Sequence, residues 1–327
     1  MSLADSSAQD GAAVKAWTLH AAVIAGFLVL HFVLPDYHHG IAARVMVLTV
    51  FAMGYNLLFG YTGLLSLGHA MFFAAGLYGA GLPVYHLGWS VPAAFASGIA
   101  AGAVLSFAVG ILALRTTGVA FMIVTMMFSQ VAYLMTFWMG GVTRGDEGLT
   151  LPQADRIVAW GPLFLDLTDR DTRYLLAWAL FAIVLVATLI IARSPFGRVL
   201  VAIRENEERT RMLGYNAFAN KLSAVMVSGV ISATAGAAYA LLFGYIGATF
   251  ASTQYSILPL LWVLLGGAAT TLGPLVGTFF MFYIVDFTQG YLRAYMLVVG
   301  IALILLVLFF PKGILGTIRE KWLPWLP

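Results

Sequence analysis

A few polar side chains interrupt an otherwise apolar chain of 327 residues. Three polar residues lie within long hydrophobic runs: Asn56, Gln130 and Asp286. Two more, Ser66 and His69, lie in a glycine-rich stretch. Such groups can hydrogen-bond a passing solute or a neighbouring helix, and a carboxylate at the centre of a membrane costs roughly 2.5–3.5 kcal/mol on insertion scales. Their scatter favours solute contact or helix packing over catalysis.

Each of these residues has a structural alternative to solute contact. Glycines around Ser66 are typical of close helix packing, and His69 suits a hydrogen bond between helices. Asp286 suits either the outer interface, a wet cavity, or pairing with Arg293. We predict a translocation pathway lined by Asn56, Ser66, His69, Gln130, Ser256 and Asp286.

Motifs for nucleotide, metal or thiol chemistry are absent from the sequence. No lysine follows a glycine, which excludes the phosphate-binding loop GxxxxGK[ST]. His38 and His39 are adjacent, a poor spacing for two metal ligands on one helix, and there is no cysteine. We predict no catalytic residue, no metal site and no cofactor bound by this chain.

The composition requires a lipid environment for the elements that carry these residues. Hydrophobic residues make up 61% of the chain and charged residues 9%, where a soluble domain carries roughly a quarter charged residues. Only helices satisfy all backbone groups within one lipid-exposed segment. We therefore predict an all-α bundle of roughly eight to ten membrane spans. Apolar segments lie at about 17–35, 41–60, 63–86, 91–114, 118–138, 174–192, 222–247, 254–268, 271–288 and 292–311.

Two polar interruptions of opposite charge organise the chain. Residues 139–172 hold three basic and six acidic residues, and residues 193–221 hold six basic and three acidic ones. The positive-inside rule places 193–221 in the cytoplasm and 139–172 outside. We predict a cytoplasmic N-terminal tail over 1–16, a transmembrane domain over 17–311 and a cytoplasmic C-terminal tail over 312–327.

The basic interruption, residues 193–221, has the pattern of a short amphipathic helix, a turn and a second helix. Pro195 suits the first helical position, and Gly214 suits a left-handed helix cap. Such a segment either lies on the membrane surface or inserts into a soluble partner. We predict docking through Pro195, Gly197, Arg198, Arg204, Glu205, Glu207, Glu208 and Gly214.

A short sequence also recurs within the chain. LLFGYTG at 57–63 returns as LLFGYIG at 241–247. In the predicted topology the two copies end spans that run in opposite directions, as in inverted transporter repeats; chance similarity among common apolar residues is the alternative. The apolar runs between 254 and 288 are short, and form either two abbreviated spans or a re-entrant pair.

Five stretches together carry a family resemblance over roughly residues 41–315. They are GYNLLFGYTGLLSLGHAMFFAAGLYGAG (54–81), GVAFMIVTMMFSQV (118–131), GGVTRGDEGL (140–149), SPFGRVLVAIRENEERTRMLGYN (194–216) and GGAATTLGPLVGT (266–278). With them the chain resembles the permeases of ABC importers for branched-chain amino acids, the LivH/LivM family, and most of all the LivM type. It departs from the family pattern at Arg209 and Thr210, where two alanines are usual.

The resemblance implies a non-catalytic permease subunit of an ATP-driven importer in the bacterial inner membrane, with both termini cytoplasmic. It implies two ABC ATPase subunits that bind ATP and Mg and contact 193–221. It also implies a second related permease, an extracytoplasmic solute-binding protein that meets 139–172, and no nucleic acid. The expected solute is small and polar or amphipathic, foremost a branched-chain or related amino acid; urea, amides and aromatic acids stay open. The alternative is an ion-driven secondary transporter, which explains the inverted repeat but not the basic interruption.

Overall fold

The computed structural model describes residues 3–160, 163–291 and 312–322, with 297, 300, 301, 304, 308–310 and 325. The long helices are α1 (Leu3–Val33), α2 (Asp36–Asn56), α3 (Ala70–Leu87), α4 (Val91–Ala113), α5 (Val119–Trp138), α7 (Arg170–Arg193), α10 (Ala217–Phe243), α11 (Thr253–Gly266) and α12 (Gly273–Tyr291). Shorter helices are α6 (Gly140–Thr143), α8 (Pro195–Glu205), α9 (Glu207–Met212) and α13 (Ile314–Lys321). A π-helical turn, Leu57–Tyr61, extends α2.

The strands are confined to connections between helices. They are β1 (Leu149–Thr150), β2 (Ile157–Trp160), β3 (Leu163–Asp166) and β4 (Tyr245–Ile246). β1 pairs antiparallel with β4, and β2 pairs antiparallel with β3. The β1–β4 pair ties the predicted outer loop to the segment that follows α10.

Side-chain caps fix where five helices begin. In each case an oxygen of the capping side chain accepts a backbone N–H from the first turn, which satisfies a donor that the helix itself leaves open. The caps are Asp169 for α7, Ser194 for α8, Asn206 for α9, Asn216 for α10 and Ser252 for α11.

Seven of the described helices are long and apolar enough to cross a membrane: α1, α2, α3, α4, α5, α7 and α10. Together with the short α11 and with α12, they match the predicted apolar segments from 17–35 to 271–288. The last predicted segment, 292–311, lies largely outside the described residues. The prediction of a polytopic all-α bundle is confirmed.

The bundle has a protein-enclosed centre and a lipid-facing rim. In the apolar window of α2, 89% of the residues are buried, and in that of α10, 78% are. The corresponding shares are 11% for α1 and 22% for α5. α2 packs against α7, α10, α11 and α12, so it forms the axis of the bundle.

Small residues bring α3 and α10 into backbone contact. A Cβ atom on Gly76 would collide with the carbonyl oxygen of Ala233, and one on Gly236 with the carbonyl oxygen of Phe73. Backbones approach this closely in membranes only where side chains are minimal. The glycine-rich stretch therefore packs helices, as its structural alternative predicted.

Helix α7 defines two ends of the bundle, which we call the Arg170 end and the Arg193 end. At the Arg170 end, Arg170 forms an ion pair with Asp36 at the start of α2. At the Arg193 end, α7 leads directly into α8. α2 thus runs toward the Arg193 end and α10 runs away from it, so the two copies of the repeat finish at opposite ends.

The α11–α12 pair contains a discontinuous crossing. α11 has 14 residues, which is about 21 Å, shorter than the roughly 30 Å hydrocarbon core. It starts beside the first residue of α3, where the Ser256 hydroxyl accepts the Ala70 N–H at 2.9 Å. α12 then reaches the Arg170 end, where Tyr37 donates to Asp286 at 2.8 Å. This geometry favours two abbreviated crossings over a re-entrant pair.

Candidate functional site

Helix α8 lies against the bundle at the Arg193 end with one buried face. Gly197, Leu200 and Ile203 are buried, and their three-residue spacing puts them on one side of the helix. Arg198 and Glu205 are exposed. The predicted amphipathic helix, with Pro195 in its first turn, is confirmed.

Glu207 ties the second short helix to the bundle instead of facing a partner. Its carboxylate accepts from the Lys221 ammonium at 2.5 Å and from the Arg211 guanidinium at 2.6 Å. Burial raises the pKa of Glu207, but the hydrogen bonds and charges of Lys221 and Arg211 outweigh burial and lower it overall. Its placement supports a structural role for Glu207, where the sequence predicted docking.

Arg204 and Asn56 connect α8 to the turn between α11 and α12. The Arg204 guanidinium donates to the carbonyl oxygen of Gly60, in the π-helical turn that follows Asn56. The Asn56 side-chain oxygen accepts from Ala269 N–H at 3.0 Å, and its amide group donates to the next carbonyl of the same turn at 2.9 Å. Arg319 of α13 donates to the Ala269 carbonyl at 3.1 Å. A series of hydrogen bonds therefore links α8 to the α11–α12 turn.

An apolar tip projects from this polar segment. Met212 is 84% exposed and Leu213 71% exposed. Gly214 follows with φ of +88°, which is the left-handed cap predicted from the sequence. From the sequence, Met212 and Leu213 were predicted only to end a helix, although two apolar residues before a cap glycine in a basic loop are a recognisable signal.

The remaining predicted docking residues lie on the two helices that precede this tip. Glu208 is exposed, as are Arg198 and Glu205. Together, α8, α9 and the tip present exposed charged residues and two exposed apolar ones, a combination found at interfaces between folded proteins.

Four of the six predicted pathway residues are enclosed within the protein. The Asn56 side chain is hydrogen-bonded to the α11–α12 turn, as described above, and the Ser256 hydroxyl accepts the backbone N–H of Ala70 at the start of α3. The Ser66 hydroxyl accepts the Gly68 N–H at 3.3 Å. His69 is fully buried, and its Nε2 lies 3.0 Å from the hydroxyl of Ser228 on α10. All four side chains hydrogen-bond within the protein at or near helix ends, which fits the structural roles given above as alternatives to solute contact.

Gln130 and Asp286 are the accessible members of the predicted set. Gln130 is exposed and accepts from the Thr253 hydroxyl at 3.3 Å. Asp286 is half-buried and opens into a cavity of about 580 Å³ near the Arg170 end, which Arg44 and Arg173 also line. Arg293, the predicted partner of Asp286, lies outside the described residues.

Arg44 is the site residue that the sequence analysis missed. It is the one charged residue in the apolar run 41–60 and sits in the third turn of α2. A charge in that position is as informative as Asp286, since intramembrane charges are rare and concentrate at functional sites. The signal was present in the sequence.

Two histidines and an aspartate meet at the Arg170 end, outside the cavity. His31 Nδ1 lies 2.9 Å from His39 Nε2, and that nitrogen lies 3.9 Å from an Asp171 oxygen. All three could reach one metal ion, but the Arg170 guanidinium is 3.8 Å from the same Asp171 oxygen and opposes a cation there. In the sequence His39 pairs most obviously with the adjacent His38, whereas His31 approaches it from a different helix.

Comparison with known proteins identifies the family. The family model described as branched-chain amino acid transport system, permease component, matches residues 38–308. The high-affinity branched-chain amino acid transport system permease protein LivM of Escherichia coli is 26% identical over 334 residues, which covers 95% of this chain and 78% of that protein. No solved structure shows significant similarity to the chain.

Two further relatives match over shorter regions. The probable branched-chain amino acid transport permease protein LivM of Methanocaldococcus jannaschii is 32% identical, over 32% of this chain and 31% of its own length. The autoinducer 2 import system permease protein LsrC of Photorhabdus laumondii is 30% identical, over 37% of this chain and 36% of its own length.

The family match and the helical bundle agree. Both describe a multi-pass protein of the inner membrane, and the match favours an ABC permease over an ion-driven transporter. The chain belongs to the family of permease components of branched-chain amino acid transport systems.

Proposed function

We propose that this chain is the non-catalytic permease subunit of an ATP-driven importer for a branched-chain or related amino acid. The observation that carries the proposal is the exposed apolar tip, Met212–Leu213, on a segment whose other face is fixed to the bundle. A soluble ATPase subunit covers this tip. The names of the LivM relatives support the choice of solute.

Coupling follows from the contacts of α8. ATP and Mg bind to two ATPase subunits, whose closure displaces α8, and the Arg204–Gly60 and Asn56–Ala269 hydrogen bonds carry that displacement to the α11–α12 turn. The ATPase subunits drive transport because they bind one permease conformation better than the other. This chain contributes no group to ATP hydrolysis.

The remaining partners occupy the other faces. A solute-binding protein docks on 139–172 at the Arg170 end, and a second, related permease completes the pathway. Both termini lie on the cytoplasmic side: His20 of α1 contacts Thr271 at 2.7 Å, and Arg319 of α13 contacts Ala269. Both contacts are with the turn that the coupling network reaches, which supports domain boundaries near 17–311 with a coupling loop at 193–221.

Co-purification from mild detergent tests the proposal. We expect the double variant Met212→Glu, Leu213→Glu to lose the soluble ATPase that purifies with the wild type, together with ATP-dependent uptake. The matched control is Leu87→Glu, an exposed leucine at the end of α3, which should retain both. Undiminished ATPase in the double variant, or uptake that persists on an ion gradient after ATP depletion, would contradict the proposal.

A further inference from the structure

Arg44 places a guanidinium within α2, a helix long and apolar enough to cross a membrane. Its neighbours on α2, Ala42, Ala43 and Val45, are buried, whereas Arg44 itself is exposed. It follows Asp36 by eight residues, so it lies about 12 Å along the helix from the Arg170 end. At this depth the guanidinium lies away from the membrane surface, where bulk water would solvate an arginine.

No described carboxylate satisfies this charge. Among the described residues, none has a carboxylate oxygen within the 4.0 Å ion-pair distance of the Arg44 nitrogens, and the contact that the guanidinium makes is with the Phe243 ring, 5.2 Å from its carbon to the ring centre. A guanidinium has five N–H donors in a planar fork that matches a carboxylate. Arg44 lines open volume.

That volume has two chemically different parts, and Arg44 lines both. The first is the 580 Å³ cavity that also contains Asp286. The second, of about 540 Å³, shares Phe282, Val285 and Gln289 with the first and is walled by apolar and aromatic side chains. Both volumes fall in the roughly 300–1,000 Å³ range of small-molecule sites.

The wall of the second cavity is an ordered aromatic cluster. Tyr239 and Phe250 have ring centres 5.0 Å apart, and Phe250 and Tyr255 have ring centres 5.1 Å apart. Leu258 and Trp262 of α11 extend the same wall. Edge and tilted contacts of this kind hold rings in fixed positions, which suits recognition of a compact apolar side chain.

We propose that Arg44 is the intramembrane ligand for the carboxylate of a zwitterionic amino acid, with Asp286 on the side of its ammonium group and the aromatic wall around its apolar side chain. The inference rests on the proposed function and adds a site to it. Arg44 then sets specificity within the membrane: a solute without a carboxylate leaves the guanidinium unpaired and is disfavoured.

The test uses the complete transport complex in proteoliposomes, with radiolabelled L-leucine and a diazirine analogue of leucine for photo-crosslinking. The variants are Arg44→Gln, which removes the charge, and Arg44→Lys, which keeps it without the fork. Arg115→Gln is the matched control, since Arg115 is an exposed arginine in the α4–α5 connection. We expect Arg44→Gln to reduce leucine uptake and crosslinking to α10–α11 peptides by about tenfold or more. ATP hydrolysis should continue, Arg44→Lys should fall between, and the control should match the wild type.

Competition with leucinamide, which lacks the carboxylate, isolates the role of Arg44. Leucinamide should displace the crosslinker from the wild type much less than leucine does, and this preference should vanish in Arg44→Gln. Wild-type uptake and crosslinking in Arg44→Gln would overturn the inference and leave the proposed function intact. Loss of the second permease from the purified variant, with crosslinking preference unchanged, would also overturn it, because Arg44 would then be an interface residue. Absence of ATP-driven leucine uptake by the wild type would instead refute the proposed function itself.

Discussion

Arg204 directs its guanidinium into the protein, toward Gly60, although it belongs to a segment whose exposed residues face solvent. Arg204 and Arg198 are both exposed residues of α8, but Arg204 also donates a hydrogen bond to the bundle. The two arginines therefore have different roles in the proposed mechanism: Arg198 contacts the ATPase, and Arg204 passes the motion on to the permease.

Replacing Arg204 should uncouple ATP hydrolysis from transport. We expect Arg204→Ala to keep the ATPase bound while uptake per ATP hydrolysed falls about tenfold, because a hydrogen bond from a charged donor contributes about 1.5–3 kcal/mol. Arg198→Ala should weaken ATPase co-purification instead. The ratio of uptake to phosphate release in proteoliposomes measures the difference, and an unchanged ratio in Arg204→Ala would exclude the coupling role.

Residue types and spacing predicted the positions of polar groups better than their partners. Gly214 and Pro195 occupy positions whose backbone conformation favours those residue types. The sequence alone therefore predicted the left-handed cap at Gly214 and the helix start at Pro195. Asn56 was predicted to line the pathway, and His69 to line it or to bond another helix. Each binds a residue far away along the chain, Thr270 for Asn56 and Ser228 for His69. Distant partners of this kind leave no local pattern.

At the scale of elements, the contact between α3 and α10 is one of the closest backbone contacts among the described helices. Gly76 and Gly236 each lie against a backbone carbonyl of the other helix, so neither site has space for a methyl group. Relief would require the two helices to separate along their length, since backbone cannot rotate away as a side chain does.

Substituting Gly76 should therefore destabilise the permease strongly. We expect Gly76→Ala to lower the free energy of unfolding by about 3 kcal/mol, at the upper end for overpacking a core, and to reduce the yield of folded protein. Gly26→Ala is the control, because a Cβ at Gly26 of α1 meets nothing within 4 Å. Thermal unfolding in detergent compares them; equal melting temperatures would mean that the close crossing does not exist.

Hydropathy predicted the helices because each long apolar run must satisfy its own backbone hydrogen bonds in lipid. Helix breaks were harder to predict. α3 begins at Ala70, seven residues after the start of the predicted apolar run 63–86, because residues 62–69 between the π-helical turn and α3 are not helical. The Ser256 hydroxyl of α11 accepts the Ala70 N–H, and Asn56 of α2 binds the α11–α12 turn, so hydropathy along the chain carries no record of these contacts.

At the scale of the whole molecule, the two ends of the bundle differ in charge and in expected partners. The Arg193 end carries the basic segment with its apolar tip, and the Arg170 end carries the acidic loop with its two strand pairs. The positive-inside rule predicts that the Arg193 end lies on the cytoplasmic side. Because the sequence contains no cysteine, single introduced cysteines can measure this orientation directly.

Single cysteines should report the orientation without background labelling. We expect a membrane-impermeant maleimide to label Asp155→Cys in spheroplasts with an intact inner membrane. Met212 is 84% exposed in the wild type, but the cysteine of Met212→Cys should react only after the membrane is opened. The reverse labelling pattern would place the basic segment outside and exclude contact with a cytoplasmic ATPase.

Helix α10 gives this arrangement a mechanical consequence. It has 27 residues and is therefore about 40 Å long. Its first turn belongs to the basic segment, the α3 backbone packs against it near its middle at Ala233 and Gly236, and its far end continues into the β1–β4 pair. A stiff helix that is held at its middle acts as a lever, so a displacement of one end of α10 moves its other end in the opposite direction. One stroke from the cytoplasm would then close one mouth of the passage as it opens the other.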